Sequence, residues 1–483
     1  MPNASAVTCP FCGCLCDDIE LVIDCGKIVK VKNGCSISES KFLGYNNNRV
    51  LKPLVRKSDV LEEVSTREAI RKAAELLAGA NYPLLYGWSS TSCEVISVGI
   101  ELAEKLGGVI DNTSTICHGP SELSVQEVGI SSCTLGQVRH RSDLVIYWGS
   151  NPWSAHPRHI ERYTTFSDGR FESSEWKTYV AKLKGSNVKK KVQSAMRRAA
   201  PTAEIAEAPA PRLPPCPAIM KKGRKLIVVD VRRTRTAEVA DYFLQIEPNK
   251  DYELLQVLRA LVRDEEVDTD EVARIPIEHI EDVAQAMIDC SFGVIFFGLG
   301  LTMSQGKMRN VDAALSLTRD LNRFTKFVII PMRGHFNVSG ADTVFTWQTG
   351  YPFAVDFSLG YPRYNPGETT AVDVLLRKES DAALIVASDP VANFPRKAAQ
   401  HLVECPLIVI DPRLNATSQI ADVVFPSKFV GIEAEGTAYR MDHVPMPLKK
   451  VVDAPKGIMS DETILNRILS EVRRLQKGRG KGE

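Results

Sequence analysis

Two pairs of segments in this chain repeat each other, and the repeat constrains the fold more than any other feature. Residues 143–158 read DLVIYWGSNPWSAHPR and residues 381–396 read DAALIVASDPVANFPR. A second pair, LIVVDVRRTRTAEVAD at 226–241 and LIVIDPRLNATSQIAD at 407–422, follows in the same order. An apolar run that ends in polar residues is typical of a strand buried in a parallel sheet. We therefore predict two related α/β units, since chance similarity rarely keeps two pairs in order.

The spacing within the two copies differs. The motifs begin 83 residues apart in the first copy and 26 in the second, and the difference of 57 equals the length of segment 166–222. That segment is charged and Ser-rich and runs into APAPRLPPCP, a composition typical of linkers. We interpret it as an insertion into one unit. Both copies share several residues: Asp143/Asp381, Ser150/Ser388, Pro152/Pro390, Asp230/Asp411, Arg232/Arg413 and Thr236/Thr417.

Short apolar runs alternate with helical patterns along the rest of the chain. They lie at 83–86, 144–148, 226–229, 293–297, 327–330, 384–387 and 407–410. This alternation predicts parallel sheets covered by helices on both faces. A length of 483 residues suggests about three domains.

Charge and composition exclude some classes of function. The net charge is +1, so neither nucleic acid nor a membrane is expected as a partner. The N-terminus lacks the basic start and apolar core of a signal peptide, which predicts a cytoplasmic protein. Disulfides are rare in that compartment, so the 12 cysteines indicate metal ligation.

The densest group of cysteines is N-terminal. Cys9, Cys12 and Cys16 share one short loop, and Cys35 follows two predicted strands, 19–23 and 28–31. A hairpin turning at 24–27 returns Cys35 towards the other three thiols. Four thiolates suit zinc or iron–sulfur, and three ligands in one loop with a distant fourth favour [4Fe–4S]. Cys14 is an alternative ligand to Cys12 or Cys16.

Two further segments carry candidate catalytic residues. Cys117 and His118 come just before a helix predicted to begin near residue 121, where the helix dipole favours a thiolate. Arg333 follows the apolar run 327–330 and suits a carboxylate ligand. The alternatives are a cysteine buried in a loop and an arginine paired with an acidic neighbour.

The repeated units suggest a pair of similar ligands. In each, one strand ends in Gly-Ser-Asn-Pro or Ala-Ser-Asp-Pro, and a later strand ends in Asp230 or Asp411. An acid at a strand end accepts hydrogen bonds from a ribose or a guanine edge. Neither unit has a G-x-G-x-x-G motif, and Gly298-Leu-Gly300 lacks its third glycine, so nicotinamide binding is not indicated.

Longer motifs extend these local patterns. The chain contains CPFCGCLCDDI, DNTSTICHGPS, YWGSNP with AHPRH, IPMRGHFNVSG, PRYNPGET and GIEAEGTAYRMDHVP. With these it resembles the B-type subunits of formylmethanofuran dehydrogenases, a family within the bis-molybdopterin guanine dinucleotide oxidoreductases. The resemblance runs from Cys9 to about Arg474 and leaves out the insertion.

The resemblance implies roles for individual residues. Cys9, Cys12, Cys16 and Cys35 match [4Fe–4S] ligands, Cys117 matches the ligand of tungsten or molybdenum, and His118 and Arg333 match the active-site residues beside that metal. Two molybdopterin guanine dinucleotides and a sulfido ligand complete the metal site. The expected dinucleotide contacts are Asn151, Pro152, His156, Asp230, Arg232, Gly298, Gly334, Ser388, Asp389, Asp411, Arg413, Glu435, Gly436 and Thr437.

The resemblance also implies the reaction: reduction of carbon dioxide to formate, which a partner subunit later condenses with methanofuran in the first step of methanogenesis from CO2. Expected partners are an amidohydrolase-like subunit, a β-barrel cap subunit and ferredoxin or polyferredoxin electron donors. Two alternatives stay open, a formate dehydrogenase-type catalytic subunit and a non-redox subunit of a formyltransferase/hydrolase complex. A non-redox subunit should lack the cluster cysteines and the metal-ligating cysteine, but Cys9, Cys12, Cys16, Cys35 and Cys117 are all present.

The predicted architecture is α/β, with a small iron–sulfur domain, two related doubly wound (Rossmann-like) domains and no C-terminal β-barrel domain. The iron–sulfur domain takes residues 1–58. The first α/β domain combines 59–115 with 340–455, the second takes 116–339, and a C-terminal helix and tail occupy 456–483.

Overall fold

A computed structural model describes residues 3–169 and 221–479. Most of the predicted insertion at 166–222 therefore lies outside the described residues. The chain divides into two compact units: unit 1 combines Met1–Ile116 with Gly334–Glu483, and unit 2 is Cys117–Arg333. Within the described ranges, every helix is too short or too polar to cross a membrane.

A nine-stranded mixed sheet forms the centre of unit 1. Its strands are, in spatial order, Arg363–Tyr364, Val355–Asp356, Val109–Asn112, Pro83–Gly87, Ala382–Val386, Leu407–Ile410, Val423–Phe425, Leu54–Lys57 and Val60–Glu63. The five strands from Val109–Asn112 to Val423–Phe425 are parallel, and the outer ones pair antiparallel. The parallel sheet predicted from the apolar runs is confirmed.

Both faces of this sheet are buried, which explains why its strands are continuously apolar. Side chains alternate between the two faces of a strand, so Leu85 and Leu384 belong to one hydrophobic cluster and Leu84 and Ile385 to another. The helices of unit 1 are Ser36–Leu43, Thr66–Gly79, Cys93–Leu106, Val338–Thr349, Ala371–Leu376, Pro390–Asn393, Arg396–Glu404, Ala416–Ile420 and Asp461–Arg479, with a 3-10 turn at Thr113–Ile116.

A small antiparallel sheet precedes the large one. Strands Ile19–Asp24 and Lys27–Lys32 form the predicted hairpin, with Asp24 opposite Lys27. Cys25 and Gly26 make the turn with φ of +46° and +73°, the left-handed conformation that a two-residue hairpin turn requires. The strand Asn3–Val7 pairs with Ile19–Asp24 and was not predicted from the sequence.

Unit 2 contains a five-stranded sheet that is parallel throughout. Its spatial order is Tyr242–Gln245, Lys225–Asp230, Leu144–Trp148, Phe292–Phe297 and Lys326–Pro331. A small two-stranded sheet joins Glu271–Val272 to Ile275–Pro276. The helices are Gly119–Val128, Leu135–Arg141, Pro152–Ala155, Pro157–Arg162, Arg235–Glu238, Asp251–Val262, Ile277–Asp289, Leu299–Thr302 and Met308–Leu321.

The two copies of the repeat make the same hydrogen bonds within their own units. Asp143 and Asp381 each accept two backbone N–H groups at the start of the neighbouring strand, at 2.7–2.9 Å, from Ser291 and Phe292 in unit 2 and from Asn81 and Tyr82 in unit 1. Asp241 accepts the N–H of Leu226 at 2.7 Å, and Asp422 accepts that of Leu407 at 2.8 Å. The shared acids therefore fasten equivalent strand ends.

Two of the predicted domain boundaries fall within a secondary-structure element or a tight hairpin. A boundary after residue 58 falls in the turn of the hairpin Leu54–Lys57/Val60–Glu63, both of whose strands belong to the nine-stranded sheet. A boundary after residue 339 falls within the helix Val338–Thr349. The domain assignments stay predictions.

We expect Asp143→Ala and Asp381→Ala each to lower the free energy of unfolding by about 2 kcal/mol, because each leaves two N–H groups at a strand start without a charged acceptor. Denaturant unfolding measures the loss, and hydrogen exchange at residues 291–292 or 81–82 localises it. Asp268→Ala, in an exposed loop, is the matched control. An equal loss in the control would contradict the equivalent roles of the two acids.

Candidate functional site

Cys9, Cys12 and Cys16, together with Cys14, lie in the loop between the strands Asn3–Val7 and Ile19–Asp24. The backbone N–H of Cys9 donates to the carbonyl of Cys16 at 2.9 Å, and that of Leu15 donates to Cys12 at 3.1 Å. Cys35 is the N-cap of the helix Ser36–Leu43, and its sulfur accepts the N–H of Ser38 at 3.5 Å. The hairpin thus returns Cys35 to the loop, as the sequence predicts.

The four thiols are close enough to influence one another. Burial raises the pKa of the Cys9 thiol well above its ordinary value, and the charges of Cys12, Cys16 and Cys35 raise it further. In contrast, a hydrogen bond with Cys14 lowers the pKa of Cys12. Among residues 3–169 and 221–479, no three ligating side chains meet around a single-ion position.

Two of the long motifs support this cysteine loop. The N–H of Gly13 donates to the carbonyl of Gly334 at 3.2 Å, and the N–H of Met441 donates to that of Gly13 at 3.0 Å. Leu15 is fully buried against Phe336 and the apolar side of the hairpin Gly436–Tyr439/Pro445–Leu448. Gly334 therefore has a structural role that its motif alone did not indicate.

The hairpin at 436–448 is fixed by contacts of its own. The N–H of Thr437 donates to Glu94 at 3.0 Å, and Gly436 approaches Ser92 so closely that a Cβ would clash with it. Glu435 is exposed. Nearby, Arg49 and Glu433 form a buried ion pair that was not identified from the sequence. Gly436 and Thr437 therefore both contact the helix that begins at Cys93 or the residue before it.

Two adjoining recesses of about 260 and 320 Å³ open in unit 1 at the point where the order of the strands reverses. The strand Pro83–Gly87 leads to one side of the sheet and Ala382–Val386 to the other, and ligands bind at such a switch point. His335, Ala387 and Asp411 line both recesses. Ser388 and Asp389, also predicted from the sequence, line the second.

Two of the dinucleotide contacts predicted in unit 1, Asp389 and Arg413, already have hydrogen-bond partners within the protein. Asp389 accepts from the hydroxyl and the N–H of Thr417 at 2.6 and 3.0 Å, which joins two strand ends. Arg413 donates to the carbonyls of Gly44 and Tyr45, so its guanidinium holds the segment after the cysteine loop. Asp411 accepts only the N–H of Arg413 and a weak bond from Asn415, and it remains the best-placed acid for a ligand.

In unit 2, Cys117 and His118 lie directly before a helix, as predicted, although that helix begins at Gly119. The Cys117 side chain is half-buried, and its carbonyl accepts the Thr302 hydroxyl at 3.0 Å. His118 is fully buried. Its ring nitrogens lie 3.2 Å from the Ser121 hydroxyl and 3.3 Å from the Met332 carbonyl. Burial and the charge of Arg333 lower its pKa to about 3, so the ring is neutral.

Arg333 is buried next to this histidine, and its guanidinium forms an ion pair with Glu122. Glu122 lies in the first turn of the helix Gly119–Val128, where a carboxylate is favoured by the helix dipole. His156 Nε2 lies 2.8 Å from the Arg333 carbonyl, whereas its buried Nδ1 has no hydrogen-bond partner among residues 3–169 and 221–479. Glu122 was missed because a lone Glu a few residues after His118 carries no sequence signal.

The predicted dinucleotide contacts of unit 2 also meet at a switch point. There, Gly298 and Gly300 approach Gly149 so closely that a Cβ on any of the three would clash with backbone. Asn151 accepts the Thr236 hydroxyl at 2.8 Å, which matches the Asp389–Thr417 contact of unit 1. Asp230 is half-buried, Pro152 begins a short helix, and Arg232 is exposed. The glycines thus serve close backbone packing.

Comparison with known proteins decides the family. The B-type subunit of tungsten-containing formylmethanofuran dehydrogenase 2 from Methanocaldococcus jannaschii is 45% identical over 472 residues, which cover 97% of this chain and 98% of the relative. The protein of the same name from Methanococcus maripaludis is 42% identical over 469 residues, covering 96% and 98%. The chain belongs to the family of B-type formylmethanofuran dehydrogenase subunits. This confirms the resemblance inferred from the motifs.

More distant matches share the fold of this family. The F420-dependent formate dehydrogenase 2 subunit alpha of Methanococcus maripaludis is 23% identical over 533 residues, covering 96% of this chain and 69% of the relative. Acetylene hydratase from Pelobacter acetylenicus superimposes with a TM-score of 0.66 at 15% identity over 97% of this chain and 69% of that one. A chain of the formyltransferase/hydrolase complex from Methylorubrum extorquens, solved with methylofuran, gives 0.62 at 20% over 88% and 99%. No protein-family model matches the sequence.

Burial raises the pKa of Asp411 to about 7, so this acid should make stability depend on pH. Below pH 3.8, the ordinary pKa of an aspartate, this carboxyl is protonated in both the folded and the unfolded chain. As the pH rises from 3.8 through about 7, the unfolded chain releases the proton and the folded chain keeps it, so the free energy of unfolding falls. We expect the melting temperature of Asp411→Asn to fall less than that of the wild type between about pH 5 and pH 8. The exposed Asp59→Asn is the control. Identical pH profiles in wild type and Asp411→Asn would contradict this role.

Proposed function

We propose that the chain is the catalytic redox subunit of a formylmethanofuran dehydrogenase and reduces carbon dioxide to formate. The observation that carries this proposal is the buried group of His118, Glu122, His156 and Arg333 beside Cys117 in unit 2. A buried arginine next to a thiol that suits a soft metal provides both a carboxylate site and a metal ligand.

The cofactor set follows from the donors present. Cys117 would hold tungsten or molybdenum, which a sulfido ligand and two molybdopterin guanine dinucleotides complete, and Cys9, Cys12, Cys16 and Cys35 would hold a [4Fe–4S] cluster. The partnerless Nδ1 of His156 and the recess beside Asp411 fit polar groups of the dinucleotides. When bound, these groups supply the two-electron chemistry and the path for electrons.

The reaction joins CO2, two electrons and one proton to give formate. The protein's part is to place the substrate and the proton. Arg333 can donate two parallel hydrogen bonds to the carboxylate oxygens, which stabilises the negative charge that develops on them. Glu122 holds the guanidinium in one orientation, so substrate binding does not have to order it.

His118 is suited to pass a proton as a neutral ring. Its tautomer is set by its bonds, since the Met332 carbonyl requires N–H at Nε2 and leaves Nδ1 to accept from Ser121. A backbone carbonyl does not take up a proton, so Nε2–H stays in place and orients the ring. Nδ1, which faces the Ser121 hydroxyl, is the nitrogen at which His118 would accept and return a proton.

We propose partners from the same chemistry. Formate made here would pass to an amidohydrolase-like subunit for condensation with methanofuran, a β-barrel subunit would cover the dinucleotides, and ferredoxin or polyferredoxin subunits would deliver electrons. The two close relatives are each named as one subunit of an enzyme, which supports a multi-subunit assembly.

Metal analysis of the purified complex tests the ligand assignment. We expect Cys35→Ala to lose about four irons per chain. We expect Cys117→Ser to keep the irons but to lose tungsten or molybdenum and CO2 reduction. Cys25→Ser, at an exposed thiol on the hairpin turn, is the control. Full heavy-metal content in Cys117→Ser, or full iron in Cys35→Ala, would contradict the assignment.

Glu122→Gln tests the positioning of Arg333. The glutamine keeps the size of the side chain but removes the charged partner, and we expect kcat/KM for formate to fall roughly tenfold. Metal content and melting temperature should stay near wild type, which separates positioning from folding. Glu127→Gln, exposed on the same helix, should be silent. An unchanged kcat/KM for formate in Glu122→Gln would contradict a role of Glu122 in positioning Arg333.

A further inference from the structure

A basic groove of about 850 Å³ runs between the helices Thr66–Gly79 and Asp461–Arg479 of unit 1. None of its residues lines the two recesses at the switch point or belongs to the cysteine loop. It is lined by Arg67, Ile70, Arg71, Arg467, Ser470, Glu471 and Arg474.

The charges in this groove are unbalanced. Four guanidiniums border the groove beside two carboxylates, because Arg474 pairs with Glu471 at 2.7 Å and Arg71 reaches Glu75 at 3.7 Å. Arg67 and Arg467 are exposed, and neither side chain has an ion pair or hydrogen bond with another residue in the described ranges. The hydrogen bond from Arg474 lowers the pKa of Glu471, and the charges of Arg67 and Arg71 lower it further, so these three arginines act on the same carboxylate. Their mutual repulsion costs stability that a bound anion would recover.

The spacing of the guanidiniums favours an extended ligand over a single small anion. Arg467 and Arg474 are seven residues apart on one helix, which separates their Cα atoms by about 10 Å along the axis. Arg67 and Arg71 lie one turn apart on the facing helix. Positive charge therefore borders the groove over about two helical turns.

The lining also distinguishes between classes of polyanion. It contains no aromatic side chain on which a nucleotide base could stack, which counts against single-stranded nucleic acid. Arginine forks match carboxylates with two parallel hydrogen bonds. We infer that this groove, which we call the arginine groove, docks an acidic segment of a protein partner through its carboxylates.

Binding of a ten-residue poly-L-glutamate peptide to the full-length chain tests this docking. We expect saturable binding that weakens as salt rises, because the contacts are ionic. The double variant Arg67→Gln/Arg467→Gln should raise Kd about fivefold. Its melting temperature should stay at or above wild type, since the substitutions relieve repulsion.

The controls separate the groove from general basic charge. Arg396→Gln/Lys397→Gln removes two exposed cations from another helix of unit 1 and should leave Kd unchanged. Arg67→Lys/Arg467→Lys keeps the charge, so it should bind more tightly than the Gln variant. An equal loss in the Arg396/Lys397 control would overturn the proposal. Tighter, groove-dependent binding of tripolyphosphate or of a ten-nucleotide oligo-dT would also overturn it, because the site would then prefer phosphate.

Discussion

The parallel pairing of buried strands is the constraint on which the rest of the structure depends. In parallel sheets the carboxyl ends of neighbouring strands meet at one edge, so polar residues that follow separate strands come together. Asp411 follows Leu407–Ile410 and meets Ala387 and Ser388, which follow Ala382–Val386. In unit 2, Arg333 follows Lys326–Pro331 and approaches His118 from a different part of the chain. Each unit thus gathers its chemistry at a strand end.

The internal repeat shows how the same constraint is met twice. Asp143 and Asp381 fasten the start of a neighbouring strand, whereas Asn151 and Asp389 join strand ends to Thr236 and Thr417. Much of the similarity between the copies therefore reflects architecture. Some equivalent residues differ in their contacts. Arg413 donates to the carbonyl of Gly44, whereas its counterpart Arg232 is exposed, so Arg413 has a structural role in unit 1 alone.

The features predictable from the sequence were those with a strong local signal. Continuous apolar runs indicated the parallel strands, and the spacing of Cys9, Cys12 and Cys16 indicated a shared loop. The features that were missed depend on long-range contacts. Glu122 becomes notable only because folding places it against a residue 211 positions away, and Arg49 meets Glu433 across 384. Gly298 was predicted as a ligand contact, and its close approach to Gly149 gives a structural reason for a glycine there as well, whereas a Cβ at Gly334 would meet open space.

Anomalous diffraction at the tungsten and molybdenum absorption edges, on crystals of the purified complex, is the most direct measurement of the central claim. The account predicts one heavy-metal peak per chain, bonded to the Cys117 sulfur and beside His118 and Arg333. A heavy-metal peak elsewhere in the chain, or a fully loaded complex whose Cys117 sulfur is buried away from it, would contradict the account.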